Sequence, residues 1–351
     1  MNIGRKFRFS ISFFIKKVLN NLLNVDEGIF MYGYQYTPKE ADLFLSEFHE
    51  VVLFTYRKMF KSICLSNGQV LSDEDIDCGS NGITTDVGWG CMYRVAQMSI
   101  SHGICQYLKS SMIKFNIGNI ISNFRDCENA MFSIHNMVKV GFIEFGIKPR
   151  SWIGPTTSSI IASKLINDNK DIINSIKVSS IVYADGTIYR NKAEQHFSEM
   201  SSDSCTFVWI CMKLGASNFD IDAYKDTIIS MSSIPQFICI MGGCSYSYGA
   251  LLIVAFGDNF LYCLDPHIKV HNAFSNTNYN RDEFIQNIPT KIYWEELDAS
   301  LSMVFICRNI SDFDNMCEEL TRINSDLFEV IDDLDVKPCN RIELDSGFLI
   351  L

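Results

Sequence analysis

The sequence contains no Cys-x-x-Cys pair and no cysteine cluster with the spacing of a zinc site, although 13 of its 351 residues are cysteines. Structural zinc sites take their ligands from such closely spaced residues, so the pattern argues against a zinc-binding protein. The odd number of cysteines also argues against a secreted disulfide framework. We therefore expect reduced thiols, a cytoplasmic protein and no bound metal.

Basic residues and long apolar segments are also scarce. The 30 Lys and Arg residues are outnumbered by 41 Asp and Glu residues, which gives a net charge of −11. A general nucleic-acid-binding surface needs an excess of basic residues, so we expect no nucleic-acid partner. A membrane-spanning helix needs about 20 consecutive apolar residues, and no window of the sequence provides them.

The first two dozen residues form a short basic and apolar segment. Arg5, Lys6 and Arg8 precede several apolar residues, and Lys16 and Lys17 then interrupt the run. A signal peptide needs a longer apolar stretch and a small-residue cleavage site. Residues 1–30 are therefore predicted to be a basic amphipathic tail. Three alternatives stay open for it: a partly ordered segment, a segment folded onto the domain, or contact with a membrane.

The order of predicted elements indicates an α+β fold. A helix is predicted to begin at Thr37-Pro38-Lys39-Glu40, which has the sequence of a capping box with proline at the first helical position. Four strand-like runs come later in the chain, and the last two are joined by a short turn that predicts a hairpin. Helices that precede antiparallel strands are typical of the α+β class. These runs cover residues 207–212, 237–241, 250–256 and 260–264.

Composition divides the chain into three parts: the N-terminal tail of residues 1–30, a main domain and a C-terminal tail. Residues 31–322 are predicted to form the main domain, and about residues 167–205 are polar and irregular, which favours a small inserted subdomain. Residues 323–351 are acidic and weakly periodic, which is typical of a C-terminal tail.

Cys91 is the first candidate for chemistry. It follows Gly88 and Gly90, and the pattern becomes helical directly after it. A cysteine at a helix N-terminus has its thiolate stabilised by backbone N–H groups and by the helix dipole, which makes it a better nucleophile. The Cys91 amide is also placed to help form an oxyanion hole. The alternative is an ordinary buried thiol in a glycine turn.

The second candidate is the sequence Leu264-Asp265-Pro266-His267. In an extended chain, residues i and i+2 point to the same side, so Asp265 and His267 are predicted to lie together. A carboxylate beside an imidazole orients the ring and stabilises its protonated form. The alternative is a surface histidine in a strand-end turn, and His271 is a rival base.

These residues belong to a series of motifs that resembles the autophagin family of autophagy-related cysteine proteases. The nucleophile motif of that family is similar to DVGWGCMYR at residues 86–94. Five further short matches occur in family order over about residues 50–320, and ordered matches are far more specific than any single one. They are FTYRKMF at 54–60, SWIGP at 151–155, MGG at 241–243, LDPH at 264–267 and DFDNMCE at 312–318.

The resemblance implies a papain-like cysteine protease fold and assigns roles to matching positions. Cys91 corresponds to the nucleophile, and His267 and Asp265 correspond to its base and to the residue that orients the base. Tyr56 corresponds to a tyrosine near the oxyanion hole. Trp152, with Gly242 and Gly243, corresponds to a groove that admits only glycine, because an indole over a narrow slot excludes larger side chains.

The implied reaction is hydrolysis after the C-terminal glycine of a ubiquitin-like autophagy protein. It would mature the precursor and release the protein from phosphatidylethanolamine, and it requires no cofactor. The implied partners are this modifier and its lipid conjugate. Because the conjugate is held in a membrane, the resemblance also implies transient contact with autophagic or other membranes. Two alternatives stay open: a protease for another ubiquitin-like modifier, and an inactive substrate-binding scaffold.

Two features depart from the family pattern or match it only loosely. The family commonly has Lys-Pro after the paired glycines, whereas this chain has Cys244-Ser245, so the properties of this gating loop are not implied by the resemblance. At the C-terminus, Phe348 and Leu351 resemble a short motif that adds a strand to an exposed sheet edge of the substrate. Residues 328–331 fit the same motif, so the pattern does not single out the C-terminus. The alternative interpretation is that Phe348 and Leu351 pack on the domain of their own chain.

Overall fold

The structure is a computed structural model that describes residues 28–63, 82–169, 176–200, 204–244, 249–275 and 279–332, and the backbone of 342–343 and 349–350. The helices are α1 (Ala41–Phe48), α2 (Cys91–Ser110), α3 (Ile117–Ile121), α4 (Ile134–Phe145), α5 (Pro155–Asp168), α6 (Arg190–Ser198), α7 (Ile221–Met231) and α8 (Ile310–Ile323).

The strands of the described residues fall into one large sheet and three small pairs. The large sheet contains β1 (Ile29–Met31), β2 (Tyr34–Tyr36), β4 (Lys177–Tyr183), β6 (Ser204–Asn218), β7 (Phe237–Cys244), β8 (Gly249–Phe256), β9 (Phe260–Leu264), β11 (Thr290–Tyr293) and β12 (Asp298–Cys307). The small pairs are β3 (Tyr56–Lys58) with β10 (Val270–Asn272), β5 (Ile188–Tyr189) with β13 (Val330–Ile331), and β14 (Ile342–Glu343) with β15 (Leu349–Ile350).

The large sheet is mixed and has the order β11-β9-β8-β7-β12-β6-β4. β1 joins it by pairing with β8 and carries β2 on its other side. All described pairings within this sheet are antiparallel except the one between β4 and β6. The predicted hairpin is confirmed as β8 and β9, which pair from Leu252 with Leu264 to Phe256 with Leu261.

The sheet lies between two apolar layers, as the alternation along β8 shows. Ala250 and Leu252 belong to the core that contains α2 and α5, whereas Leu251 and Ile253 belong to the core that contains α7 and α8. Successive side chains of a strand point to opposite faces, so a sheet buried on both faces has an almost continuous apolar sequence. This architecture holds α2 against β7 and β8.

The predicted helix start at Thr37 is confirmed. Pro38–Glu40 form a 3-10 turn that leads into α1, and the Glu40 carboxylate accepts hydrogen bonds from the Thr37 N–H at 2.9 Å and from its hydroxyl at 2.8 Å. These bonds satisfy groups that are otherwise left open at a helix N-terminus. The helix buries Phe44 and Phe48 as predicted.

The predicted insertion at about residues 167–205 and the predicted C-terminal tail from residue 323 are both packed on the domain where the structure describes them. Residues 177–183 form β4, whose seven residues all pair with β6 at the edge of the large sheet. Phe328 is buried, and β13 adds beside β5, so the chain still packs on the domain to Ile331. Residues 328–331 are therefore not free to act as a short binding motif. The division into domains stays a prediction.

Several predicted features lie outside the described residues. These are residues 1–27 of the N-terminal tail, the Ser245 position of the gating loop, and Phe348 and Leu351. Within the described part of the chain, none of the helices is both long and apolar enough to cross a membrane.

Candidate active site

Cys91 is the first residue of α2, as predicted. Gly90 precedes the helix, and Gly88 has a φ of 87°, a conformation that glycine adopts without strain. The backbone oxygen of Asp86 accepts hydrogen bonds from Trp89 N at 3.2 Å and from Gly90 N at 2.8 Å. The thiol is thereby held at the end of a 20-residue helix, where the dipole favours a negative charge.

His267 and Asp265 lie together directly after β9. His267 Nδ1 is 2.6 Å from Asp265 Oδ1, and the same oxygen accepts the His267 backbone N–H at 2.8 Å. The buried side chain of Gln286 accepts the Asp265 N–H at 2.9 Å and donates to Cys263 O at 3.2 Å. The Asp265 carboxylate therefore fixes the ring, and Gln286 fixes the backbone that carries the carboxylate.

The Cys91 thiol and the His267 imidazole are hydrogen-bonded to each other. Burial alone would raise the pKa of Cys91, but hydrogen bonds with His267, the Ala250 backbone and Tyr56 lower it below its ordinary value. Burial alone would lower the pKa of His267, but its hydrogen bonds with Asp265 and Cys91 raise it to about 9. These opposite shifts favour a thiolate–imidazolium pair, which is the reactive form of a cysteine nucleophile.

Tyr56 forms the adjoining wall of the site. It belongs to β3, which pairs in parallel with β10, and its N–H donates to Pro266 O at 3.0 Å. Its ring meets the His267 ring edge-on with centroids 5.1 Å apart. Burial and the neighbouring Cys91 raise the pKa of Tyr56, so its hydroxyl stays protonated and donates a hydrogen bond to the sulfur.

A buried charge network lies beneath the nucleophile. Arg94 Nε is 2.6 Å from Asp86 Oδ2, and Arg94 Nη2 is 2.9 Å from Asp126 Oδ1. The other oxygen of Asp86 accepts the Arg57 backbone N–H at 2.6 Å. Because Arg57 follows Tyr56 in β3, the Asp86 carboxylate joins the strand of Tyr56 to the turn of Cys91.

The sequence matches the peptidase C54 catalytic domain over residues 41–319. This is the greater part of the chain, and it includes every residue of the site described above. The chain belongs to the peptidase C54 family. This confirms the resemblance to the autophagin family that was found in the sequence. It also confirms the two properties which that resemblance implied, an α+β papain-like fold and cysteine protease activity.

Curated relatives of this C54 peptidase extend over nearly its whole length. It is 25% identical to cysteine protease ATG4B of Xenopus laevis over 348 residues, which cover 90% of this chain and 86% of that protein. It is 26% identical to cysteine protease ATG4A of Xenopus laevis, with 87% of this chain and 80% of that protein covered. The human cysteine protease ATG4A is 25% identical, with coverages of 88% and 83%.

The remaining predicted groove residues of the C54 peptidase lie on neighbouring elements. Trp152 is 41% exposed in the loop before α5, and α5 contacts the first turn of α2 through Ser158 Oγ, which donates to Met92 O at 3.3 Å. Gly242 and Gly243 are the buried end of β7, where Gly243 pairs with Ala250 of β8. Their roles in substrate binding stay predictions.

Three features of the peptidase site were not predicted from its sequence. The Ala250 N–H donates to the Cys91 sulfur, Gln286 holds Asp265, and the Asp86–Arg94–Asp126 network supports the nucleophile turn. Asp86 and Arg94 flank Cys91 in the DVGWGCMYR motif, which was the available signal for the network. Within the described residues, no group of His, Cys, Asp and Glu side chains could hold a metal ion.

Gly249 leaves room for the imidazole of His267. A Cβ at this position would lie 2.8 Å from His267 Cε1, closer than packed carbon atoms approach. We expect Gly249→Ala to displace the ring and to lower kcat on the order of 10²-fold, with a smaller change in KM, because a misplacement of about 1 Å has this effect on catalysis. Steady-state kinetics on a cleavable substrate measures both constants.

The matched control is Gly141→Ala in α4, where the nearest atom to the added Cβ is the flexible end of Ile161 at 3.2 Å and the next contacts are ordinary ones beyond 3.4 Å. This variant should retain the parent kcat. Equal kinetics for Gly249→Ala and the parent enzyme would show that position 249 does not constrain His267.

The paired pKa shifts predict a specific pH dependence. Iodoacetamide should alkylate Cys91 rapidly at neutral pH, because its thiolate forms below the ordinary thiol pKa. The value of kcat/KM should fall as the pH rises through about 9, since neutral His267 cannot protonate the leaving group. Asp265→Asn removes a group that raises the pKa of His267, so it should move this fall to lower pH. If the fall of kcat/KM at high pH occurred at the same pH in Asp265→Asn as in the parent enzyme, Asp265 would not be the residue that raises the pKa of His267.

Proposed function

We propose that Cys91, His267 and Asp265 carry out the peptidase reaction on a glycine-ended ubiquitin-like autophagy protein. Cys91 attacks the carbonyl carbon of the terminal glycine, and His267 gives its proton to the leaving amine as the C–N bond breaks. His267 then takes a proton from water, the resulting hydroxide attacks the thioester, and the thiolate departs. Asp265 keeps the ring oriented in both steps.

The oxyanion is proposed to be held by the Cys91 backbone N–H and the Tyr56 hydroxyl. Both groups lie at the sulfur, since Cys91 begins α2 and the Tyr56 hydroxyl bonds to the thiol. Donors fixed in place before the reaction stabilise charge that develops in the transition state. The Cys91–His267 hydrogen bond at the end of α2 is the single observation that carries the proposal.

The proposed substrate specificity depends on a groove without room for side chains. In this proposal the indole of Trp152, which is exposed, covers a tail whose last residue is glycine, and Gly242 and Gly243 provide a side-chain-free strand end beside Ala250. Family membership supports this substrate over other ubiquitin-like proteins. We propose two leaving groups: the peptide extension of the precursor, and the amine of phosphatidylethanolamine in the membrane conjugate.

The test uses purified full-length protein and a precursor of the modifier extended past its glycine. Intact-mass spectrometry should show one cleavage, directly after that glycine. A modifier with the glycine replaced by alanine is the matched control and should be cleaved far more slowly, because a Cβ would meet the wall of the groove. Cleavage of a ubiquitin precursor, with no cleavage of the autophagy modifier, would overturn the substrate assignment.

A further inference from the structure

Several exposed side chains surround one wall of the candidate active site. Met59 is 73% exposed, and Val87, Ile268 and Val270 are each more than 40% exposed. Large apolar side chains grouped at the surface of a protein mark interaction sites more often than singly scattered ones do. Two exposed lysines, Lys58 and Lys269, lie among them. We call these six residues the exit rim.

Strand pairing brings the members of the exit rim together. Val270 pairs with Tyr56, and Asn272 pairs with Lys58, so Val270 and Lys58 lie on the same face of the β3–β10 pair. Lys58 also forms a bridge to Thr85, whose hydroxyl accepts the N–H of Val87 at 3.3 Å. Paired residues of neighbouring strands carry their side chains on the same face. Met59 and Ile268 directly follow Lys58 and His267 in the chain.

The exit rim lies on the β3 side of the imidazole. His267 contacts two walls, the β3–β10 wall through the Tyr56 ring and the β7–β8 wall at Gly249. The proposed glycine groove belongs to the β7–β8 wall, which carries Gly242 and Gly243. If the substrate tail occupies that wall, its leaving group lies on the other side of His267, which is the side of the exit rim.

The charge of the exit rim is opposite to that of the whole chain. The chain has a net charge of −11, whereas the rim residues carry two lysines and no carboxylate. The carboxylate that faces β10, Glu283, is paired with the buried Arg57 at 2.7 Å. Apolar side chains flanked by lysines are suited to a lipid surface, because the apolar groups enter the interface and the cations attract anionic headgroups.

We propose that the exit rim is a membrane-contact surface that rests on anionic phospholipid while a lipid-linked substrate is cleaved. This inference rests on the proposed function, since the leaving group on this side would then be a phospholipid amine held in a bilayer. Contact with the bilayer places the scissile bond of an anchored conjugate at the height of Cys91. A soluble precursor is not anchored, so it reaches the Cys91 sulfur without any contact between the exit rim and a bilayer.

The test compares one modifier in two forms, cleaved by full-length enzyme. One form is anchored through phosphatidylethanolamine in vesicles that contain phosphatidylserine, and the other is the soluble precursor. Lys269→Glu should lower the rate on vesicles roughly fivefold or more, because each lysine near an anionic surface contributes about that factor. Met59→Asn should also lower that rate, because the apolar side chain that enters the interface is lost. Both should leave the rate on the precursor unchanged. Asparagine suits position 59, where φ is 63°.

Matched controls are Lys114→Glu and Ile143→Asn, which change an exposed lysine and an exposed isoleucine outside the rim. They should retain both rates. Equal losses on the two substrates, or no loss on either, would overturn the membrane surface. A parent enzyme inactive on both substrates would overturn the proposed function instead. Flotation of the parent and Lys269→Glu proteins with the same vesicles then measures membrane binding without catalysis. Weaker flotation of the variant supports a membrane-contact surface at the exit rim, and equal flotation contradicts it.

Discussion

Replacing Cys91 with alanine is expected to lower kcat/KM on the order of 10⁴-fold or more, because loss of the nucleophile removes the covalent route altogether. The variant should still bind the modifier, since the walls formed by β3, β7 and β8 do not depend on the sulfur. Substrate cleavage followed by mass spectrometry, together with a binding titration, measures the two effects separately.

Cys105→Ala is the matched control for this loss. Cys105 is buried in the same helix, and burial raises the pKa of its thiol to about 12, so it is not a competent nucleophile. Its replacement should leave kcat/KM near the parent value. If Cys91→Ala kept the parent activity, the reaction would not proceed through this thiol.

Replacing Arg94 with methionine is expected to reduce the free energy of unfolding by about 3–5 kcal/mol, the usual effect of removing one partner from a buried ion pair. The Asp86 and Asp126 carboxylates would stay buried without their cation, and all three side chains are at most 1% exposed. Urea unfolding followed by circular dichroism measures the change. Activity should also fall, since Asp86 joins the Cys91 turn to the strand of Tyr56.

Arg322→Met is the control for the loss of an arginine at the surface. Arg322 pairs with Glu319 on α8, and 69% of its side chain is exposed, so its replacement should not measurably change stability. Similar unfolding midpoints for Arg94→Met and Arg322→Met would mean that the buried network does not stabilise the fold.

Much of the fold could be predicted from local patterns in the sequence. The capping box at Thr37, the start of α2 at Cys91 and the β8–β9 hairpin each depend on neighbouring residues, and the structure has all three. The edge strand β4 could not be placed, because it pairs with β6 across an intervening helix. Pairing of that kind is decided by tertiary packing, which local propensity does not reveal.

The candidate site shows the same division. Asp265 and His267 are two residues apart, so their contact could be predicted from the local sequence. The structure makes it in a turn after β9, where Asp265 Oδ1 also accepts the His267 N–H, and not in an extended strand. The Asp265–Gln286 bond and the approach of Gly249 to His267 join residues about 20 positions apart and belong to particular turns. Asp126 joins Arg94 over 32 positions, and nothing in its surrounding sequence indicates a buried partner.

The central claim is that the Cys91 sulfur attacks the carbonyl of a terminal glycine. It is tested most directly with the modifier ending at that glycine and carrying a thiol-reactive group in place of the scissile bond. After incubation with full-length enzyme, peptide mass spectrometry should find the adduct on Cys91 and on no other cysteine, and prior treatment with iodoacetamide should prevent it. An adduct on a different cysteine, or none from enzyme that cleaves the precursor, would contradict the account.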